Sequence, residues 1–181
     1  GNGERVEFPV PARDGTTVSS VEGWQLWRDE DGFVLDAMDG VLRRFRPSTE
    51  PNYYRLVEVF DQNKNTIRFE YEGTYLAKAV DCVGRHIAFR RDGGGHLAGL
   101  DVYNAVSRGQ WVSFTRYQYD QDGDLIEVVD ADGAGTRFQY EKHRMTEFIQ
   151  PSGLVIHYRY NEDDVCIETW GDYPGRVDES L

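Results

Sequence analysis

Apolar and polar positions along this chain alternate over short stretches, and a period of two marks half-buried β-strands where a period near 3.6 would mark helices. In Ile156-His157-Tyr158-Arg159-Tyr160 the apolar and aromatic side chains fall on one face, with His157 and Arg159 on the other. Ile67, Phe69 and Tyr71 against Arg68 and Glu70 repeat the arrangement. The alternation predicts strands at Thr66–Tyr71, Tyr75–Asp81, His86–Arg91, Thr136–Glu141, Met145–Gln150, Leu154–Tyr160 and Val165–Trp170. Shorter ones are predicted at Trp24–Arg28, Gly32–Ala37 and Val41–Arg46. Turns between them are marked by Asp29-Glu30-Asp31-Gly32, Asp39-Gly40 and Gly93-Gly94-Gly95, in keeping with the preference of Asp and Gly for tight reversals.

These strands recur in a frame. An aromatic returns at Phe69, Phe89, Tyr117, Phe138 and Tyr158, in steps of 20, 28, 21 and 20. Asp61, Asp81, Asp130 and Gln150 each stand eight residues before Phe69, Phe89, Phe138 and Tyr158, and Leu56, Leu76, Leu125 and Met145 stand five residues before those. Between the Asp or Gln and the aromatic lies a turn containing Gly84, Gly133 or Gly153, where glycine admits the positive φ of a tight reversal. Three markers in one frame predict tandem antiparallel hairpins about twenty residues long, an all-β array. The frame slips once. After Asp101 the aromatic that the frame places near residue 109 arrives only at Tyr117, which predicts a longer hairpin over residues 102–116 with its loop at Asn104–Gln110. The division expected is a β-rich lead-in over residues 1–52, the array over 53–175 starting after the break Pro47-Ser48-Thr49-Glu50-Pro51, and a tail over 176–181.

Composition supports strands: the 181 residues include 19 Gly, 11 Tyr, 9 Phe and 4 Trp, and aromatics suit a pleated surface. A chain of this length is large enough to bury a core without metal or disulfides. The net charge of −12 repels phosphate backbones and anionic lipid, which argues against a nucleic-acid partner. Nowhere does the chain approach the ~18 successive apolar residues of a membrane helix, so no membrane insertion is expected. Two cysteines, Cys82 and Cys166, are too few for a disulfide framework and are expected as reduced, packed thiols, a single bridge being open to them.

Candidate chemistry is sparse. No nucleophile elbow, phosphate-binding loop or zinc-helix signature occurs, and His86, His96, His143 and His157 share no metal-ligand spacing. Asp120-Gln121-Asp122-Gly123-Asp124 resembles part of a calcium loop but lacks the spacing to a bidentate Glu. No catalytic, cofactor or metal residue is therefore assigned. The exposed-aromatic alternative is a carbohydrate-binding or adhesion module, for which Trp111 and Trp170 are the residues to test.

The run Tyr117-Gln118-Tyr119-Asp120-Gln121-Asp122-Gly123-Asp124-Leu125-Ile126-Glu127-Val128-Val129-Asp130-Ala131-Asp132-Gly133 resembles the repeat of the Rhs, or YD-repeat, family. Looser copies begin at Phe69-Glu70-Tyr71, Phe138-Gln139-Tyr140 and Tyr158-Arg159-Tyr160, while Lys64 replaces the turn glycine and Glu72, Glu141 and Asn161 replace the Asp after the Tyr. The resemblance implies a curved, extended sheet forming part of a hollow shell or cocoon around a toxin domain encoded C-terminally on the same polypeptide. It further implies a non-enzymatic wall segment of a secreted or injected bacterial weapon, whose partners are the remainder of the shell and that toxin domain. A wall fragment with open sheet edges is also expected to self-associate.

Overall fold

A computed structural model describes residues 5–12, 16–104, 109–173 and 175. The predicted loop at 104–110 falls largely, and the tail 176–181 wholly, outside these residues. The described chain is all-β, and the strands are β1 (Val18–Ser19), β2 (Gln25–Asp29), β3 (Gly32–Asp36), β4 (Val41–Pro47), β5 (Tyr54–Asp61), β6 (Thr66–Glu72), β7 (Tyr75–Asp81) and β8 (His86–Arg91). They continue as β9 (Leu97–Asn104), β10 (Gln110–Tyr119), β11 (Leu125–Val129), β12 (Gly135–Glu141), β13 (Arg144–Ile149), β14 (Val155–Tyr160) and β15 (Cys166–Asp172). Tyr75–Asp81 and His86–Arg91 match their predicted bounds, and the other predicted strands are displaced by one or two residues at one or both ends.

The chain divides into two units, residues 1–88 with 103–110, and residues 89–102 with 111–181. In the first unit, β1 through β8 pair antiparallel, each with the next. β4 pairs with β5 across residues 48–53, where the Ser48 amide donates to the Tyr53 carbonyl at 2.8 Å. In the second unit, β10 through β15 pair in the same way. A meander of this kind needs only short reversals between strands, which is what the spacing of Asp and Gly supplies.

Because side chains alternate, register turns each unit into rows. In the first unit Trp27, Val34, Arg44, Glu58, Arg68, Val80 and His86 are successive cross-strand partners. Leu26, Leu35, Arg43, Val59, Ile67 and Asp81 form the neighbouring row on the opposite face. The expectation of a buried core is not met. Among the described residues only Val34, at 1% exposure, and Val155, at 7%, are buried hydrophobic residues. The physical reason is that strands paired edge to edge in one layer leave both faces of the layer partly open, so most apolar side chains are half-buried by their cross-strand neighbours alone.

Candidate functional site

The repeat is built on one hydrogen-bonded turn, used eight times among the described residues: once at Ser20, whose amide donates to the Trp24 carbonyl and whose carbonyl accepts from Gly23 (φ 84°), and seven times from Asp61 onward. At Asp61, Asp81, Asp92, Asp120, Asp130, Gln150 and Asn161 the backbone amide donates to the carbonyl four residues on, and the residue three ahead donates back to the carbonyl of the first. That third residue has positive φ: Lys64 (66°), Gly84 (81°), Gly95 (86°), Gly123 (87°), Gly133 (86°), Gly153 (86°) and Asp164 (62°). In six of the seven the first residue is Asp or Asn, and its Oδ1 accepts from the amides two and four residues ahead at 2.8–3.0 Å. A short carboxylate or amide side chain reaches its own backbone in this way. Gln150 is one methylene too long, and Ser152 Oγ takes the Leu154 amide instead at 3.5 Å.

Asp92, Asp120 and Asn161 are not among the predicted markers, although Asx followed three residues later by glycine, as in Asp92-Gly95 and Asp120-Gly123, reveals two of them. Hydrogen bonds from the Asn65 side chain hold the Asp61 carboxyl below the usual carboxylate range, and the Arg85 backbone amide does the same for Asp81. These turns therefore contribute stability above the ordinary carboxylate pKa and lose it as pH falls through the depressed one. In these seven turns Lys64 is the one lysine at the left-handed position. The Lys64→Gly variant should raise stability by about 1 kcal/mol, since an L side chain there is strained and glycine is not; chemical denaturation would read it.

The aromatic markers stand within the strands. Phe69 is paired with Ala79, Tyr117 with Val128, Phe138 with Phe148 and Tyr158 with Thr169. All four, with Phe89, are half-buried. Two residues beyond Phe69, Tyr117, Phe138 and Tyr158 the register shifts by a bulge, at Tyr71, Tyr119, Tyr140 and Tyr160. Each bulged Tyr faces Leu76, Leu125, Met145 or Cys166, so the apolar marker of the frame is the cross-strand partner of this second aromatic. Phe45 and Leu56 repeat the pairing. The Tyr71 hydroxyl donates to the Leu56 carbonyl at 2.7 Å, and the Tyr119 hydroxyl to the Leu97 carbonyl at 3.1 Å, each tying a hairpin back to the preceding strand. Burial pushes the phenols of Tyr71, Tyr119 and Tyr140 up.

The polar face carries ion pairs between strands. Arg44 lies 2.7 Å from Asp29, pairs with Glu58 and covers the Phe60 ring, and Glu58 also meets Arg68 at 3.3 Å. Lys78 meets Glu70 at 2.9 Å in the first unit, and Arg137 meets Glu127 at 2.8 Å in the second. The histidines are spread out: His86 lies near Tyr103, His96 stacks on Tyr119, His143 bonds Asp124, and His157 stacks on Trp170. In the calcium-like run, Asp120 Oδ1 is engaged by the amides of Asp122 and Asp124, which directs that carboxylate into its own turn. Among the described residues no three His, Cys, Asp or Glu side chains are grouped to hold a metal ion.

Cys82 and Cys166 are unbridged, but the expectation that they are packed is overturned: both are exposed. Cys82 belongs to a turn and Cys166 to a strand whose whole length is exposed, so neither has an interior to pack into. Beside Cys82 an open groove of about 450 Å³ is lined by Val41, Val59, Phe60, Ile67 and Val83 together with Asp61 and Asp81. Both of those carboxylates are committed to turn amides, so the groove holds no pairing of a nucleophile with a free base.

A register-locked stack of bulged hairpins with capped turns defines an all-β repeat protein. The profile of the RHS Repeat family matches residues 119–153, a stretch that includes most of the run Tyr117–Gly133 on which the resemblance to the Rhs family is closest. No curated protein sequence matches the chain. Solved structures do. The crystal structure of TcdB2-TccC3 is similar at a TM-score of 0.51 and 12% identity, over 87% of this chain and 11% of that one. The same complex without its hypervariable C-terminal region gives 0.51 and 13%, over 86% and 11%. The pore form of the Photorhabdus luminescens Tc holotoxin gives 0.50 and 12%, over 86% and 11%. At such identity the likeness is one of fold, and the chain spans about a tenth of the length of those proteins. Among the described residues no helix is long and apolar enough to cross a membrane.

Proposed function

We propose that this chain is a wall segment of a repeat-built shell that encloses or carries a toxic domain, and that its role is structural and not enzymatic. The observation that carries the reading is the turn used eight times among the described residues with one hydrogen-bond pattern, in a chain that overlies Tc toxin complexes over 86–87% of its length. Capped turns and bulged strands serve to fix register, and no side chain in the frame is left poised for chemistry. The partners on this reading are the rest of the shell and a toxin domain C-terminal on the same polypeptide, in a secreted or injected bacterial protein used in competition. No cofactor enters it. Limited proteolysis of the full gene product tests it: an enclosed polypeptide should resist digestion until residues 53–171 are deleted. Equal digestion of every segment outside this region, with and without the deletion, overturns the proposal.

The open strand β15 is exposed along its full length, and such an edge recruits strands. Sedimentation of the 181-residue chain should accordingly show self-association that rises with concentration and weakens in Ile167→Lys. A carbohydrate-binding or adhesion module is the second reading, favoured by the 47% and 45% exposure of Trp111 and Trp170. One face of the Trp170 indole is already occupied by His157, with ring centroids 5.0 Å apart. Calorimetric titration with saccharides decides between the two, because binding lost in Trp111→Ala and Trp170→Ala would favour the second.

A further inference from the structure

Two residues after the apolar marker of a hairpin stands a charged position that meets partners on both neighbouring strands. In three strands it is glutamate, and each time the strand that follows brings a base to it. Glu58 of β5 is flanked in register by Arg44 and Arg68, with Arg44 Nη1 donating to its Oε2 and Arg68 Nε to its Oε1 at 3.3 Å. Glu127 of β11 accepts from Gln118 Nε2 on Oε2 at 2.9 Å and from Arg137 Nε on Oε1 at 2.8 Å. Glu147 of β13 is flanked in register by Gln139 and His157, and His157 Nδ1 lies 3.3 Å from its Oε1. β7 carries Lys78 at this position, with Glu70 before it and Ala88 after it. The base on the following strand therefore goes with the glutamate and not with the frame alone.

Glu168 of β15 is a fourth glutamate at the position, two residues after Cys166. From the strand before, Arg159 is its partner in register and pairs with its Oε2. On the outer side no described strand of the second unit faces it, since β15 pairs there with β14 alone. Its side chain is 47% exposed, against 12%, 17% and 29% for Glu58, Glu127 and Glu147. A strand laid on this edge would cover Glu168 as its counterparts are covered, and a carboxylate drawn out of water without a partner is costly.

The strands that answer the other three glutamates share more than the base. A β-branched residue precedes it and an aromatic follows, as in Ile67-Arg68-Phe69, Thr136-Arg137-Phe138 and Ile156-His157-Tyr158. The β-branched residue faces the one after the glutamate: Ile67 faces Val59, Thr136 faces Val128 and Ile156 faces Phe148. We infer that the outer edge of β15 docks an antiparallel strand of this chemistry, with a β-branched residue opposite Thr169, an Arg or His opposite Glu168, and an aromatic next. β15 itself contains no Lys, Arg or His, so a second copy pairing through β15 leaves Glu168 unanswered, and a strand that carries the base should displace it. The inference rests on β15 being an edge that recruits strands, and adds what that edge selects.

NMR titration of the 181-residue chain tests the selection, using a synthetic peptide of the β6 sequence Thr66–Glu72 and its Arg68→Glu version. The arginine peptide should shift the β15 amides with a Kd about fivefold lower than the glutamate peptide, because opposite charges facing across strands attract and like charges repel. Glu168→Lys should reverse the preference and Glu168→Gln should erase it; two substitutions at one exposed side chain guard against a single variant that fails to fold. Equal binding of the two peptides to the wild-type chain, no β15 shifts with either, or shifts confined to β5 and β7, the neighbours of β6 itself, overturns the inference. Self-association seen by sedimentation alongside such a result would leave the recruiting edge in place and remove only its selectivity.

Discussion

The Gly32→Ala variant should lose about 3 kcal/mol of stability or more, the upper range for forcing atoms into filled space, and should melt far below wild type. Gly32 opens β3 opposite Asp29, and its backbone φ is not in the left-handed region, so conformational freedom is not why glycine is required there. The requirement is spatial. A Cβ built on Gly32 would sit 1.9 Å from the Phe45 carbonyl oxygen and 2.8 Å from Arg46 Nη1. The carbonyl is backbone and is brought close by the bulge at Arg44 and Phe45 on β4, while Arg46 Nη1 donates to the Asp29 carbonyl at 3.0 Å. Relief would have to come from moving β4, and Arg44 on that strand anchors Asp29 and Glu58 together. Gly133→Ala is the comparison: nothing lies within 4 Å of its Cβ, but φ is +86°. Strain alone should cost it about 1–2 kcal/mol. Thermal or urea unfolding reads both, and a Gly32→Ala protein as stable as Gly133→Ala would mean that β4 does not press against β3 at this point.

The hairpins are legible in the sequence because their cause is local. Alternation over five or six residues sets a strand, and Asx with a following glycine sets a reversal, so Tyr75–Asp81 and His86–Arg91 can be read to the residue. What escapes is set across strands. The five-residue offset of Leu56, Leu76, Leu125 and Met145 is visible as a spacing, but its meaning, a partner for a bulged aromatic, depends on register shifts such as those at Tyr71 and Tyr140. Asp92 and Asp120 escape because their turns have no aromatic eight residues on, only Leu100 and Val128. The links of His157 to Glu147 and Asp172 span 10 and 15 residues and three strands, and no pattern in one strand announces them. The cysteines mislead for a related reason: burial of thiols is a habit of layered cores, and paired strands in one layer provide little interior.

The same lack of interior changes the size of the effect expected from the aromatic frame. Full burial would predict a loss of about 3 kcal/mol for Phe138→Ala or Tyr158→Ala. Phe138 is instead half-buried and paired in register with Phe148, ring centroids 5.5 Å apart and inclined by 44°, and Phe148 is paired onward with Ile156. Its removal sacrifices part of a side chain's burial together with an aromatic contact worth ~0.5–1.5 kcal/mol, about 2 kcal/mol in all. Tyr158 faces Thr169 on the exposed strand β15, so Tyr158→Ala should cost less, about 1 kcal/mol. The ranking carries the test more than the magnitudes. If equilibrium unfolding finds Tyr158→Ala equal to or worse than Phe138→Ala, the half-buried rows do not divide the energy as their neighbours suggest, and β15 is packed more firmly than its exposure implies. If both variants unfold as wild type does, the aromatic frame contributes nothing to holding the hairpins together, and the repeat rests on its turns alone.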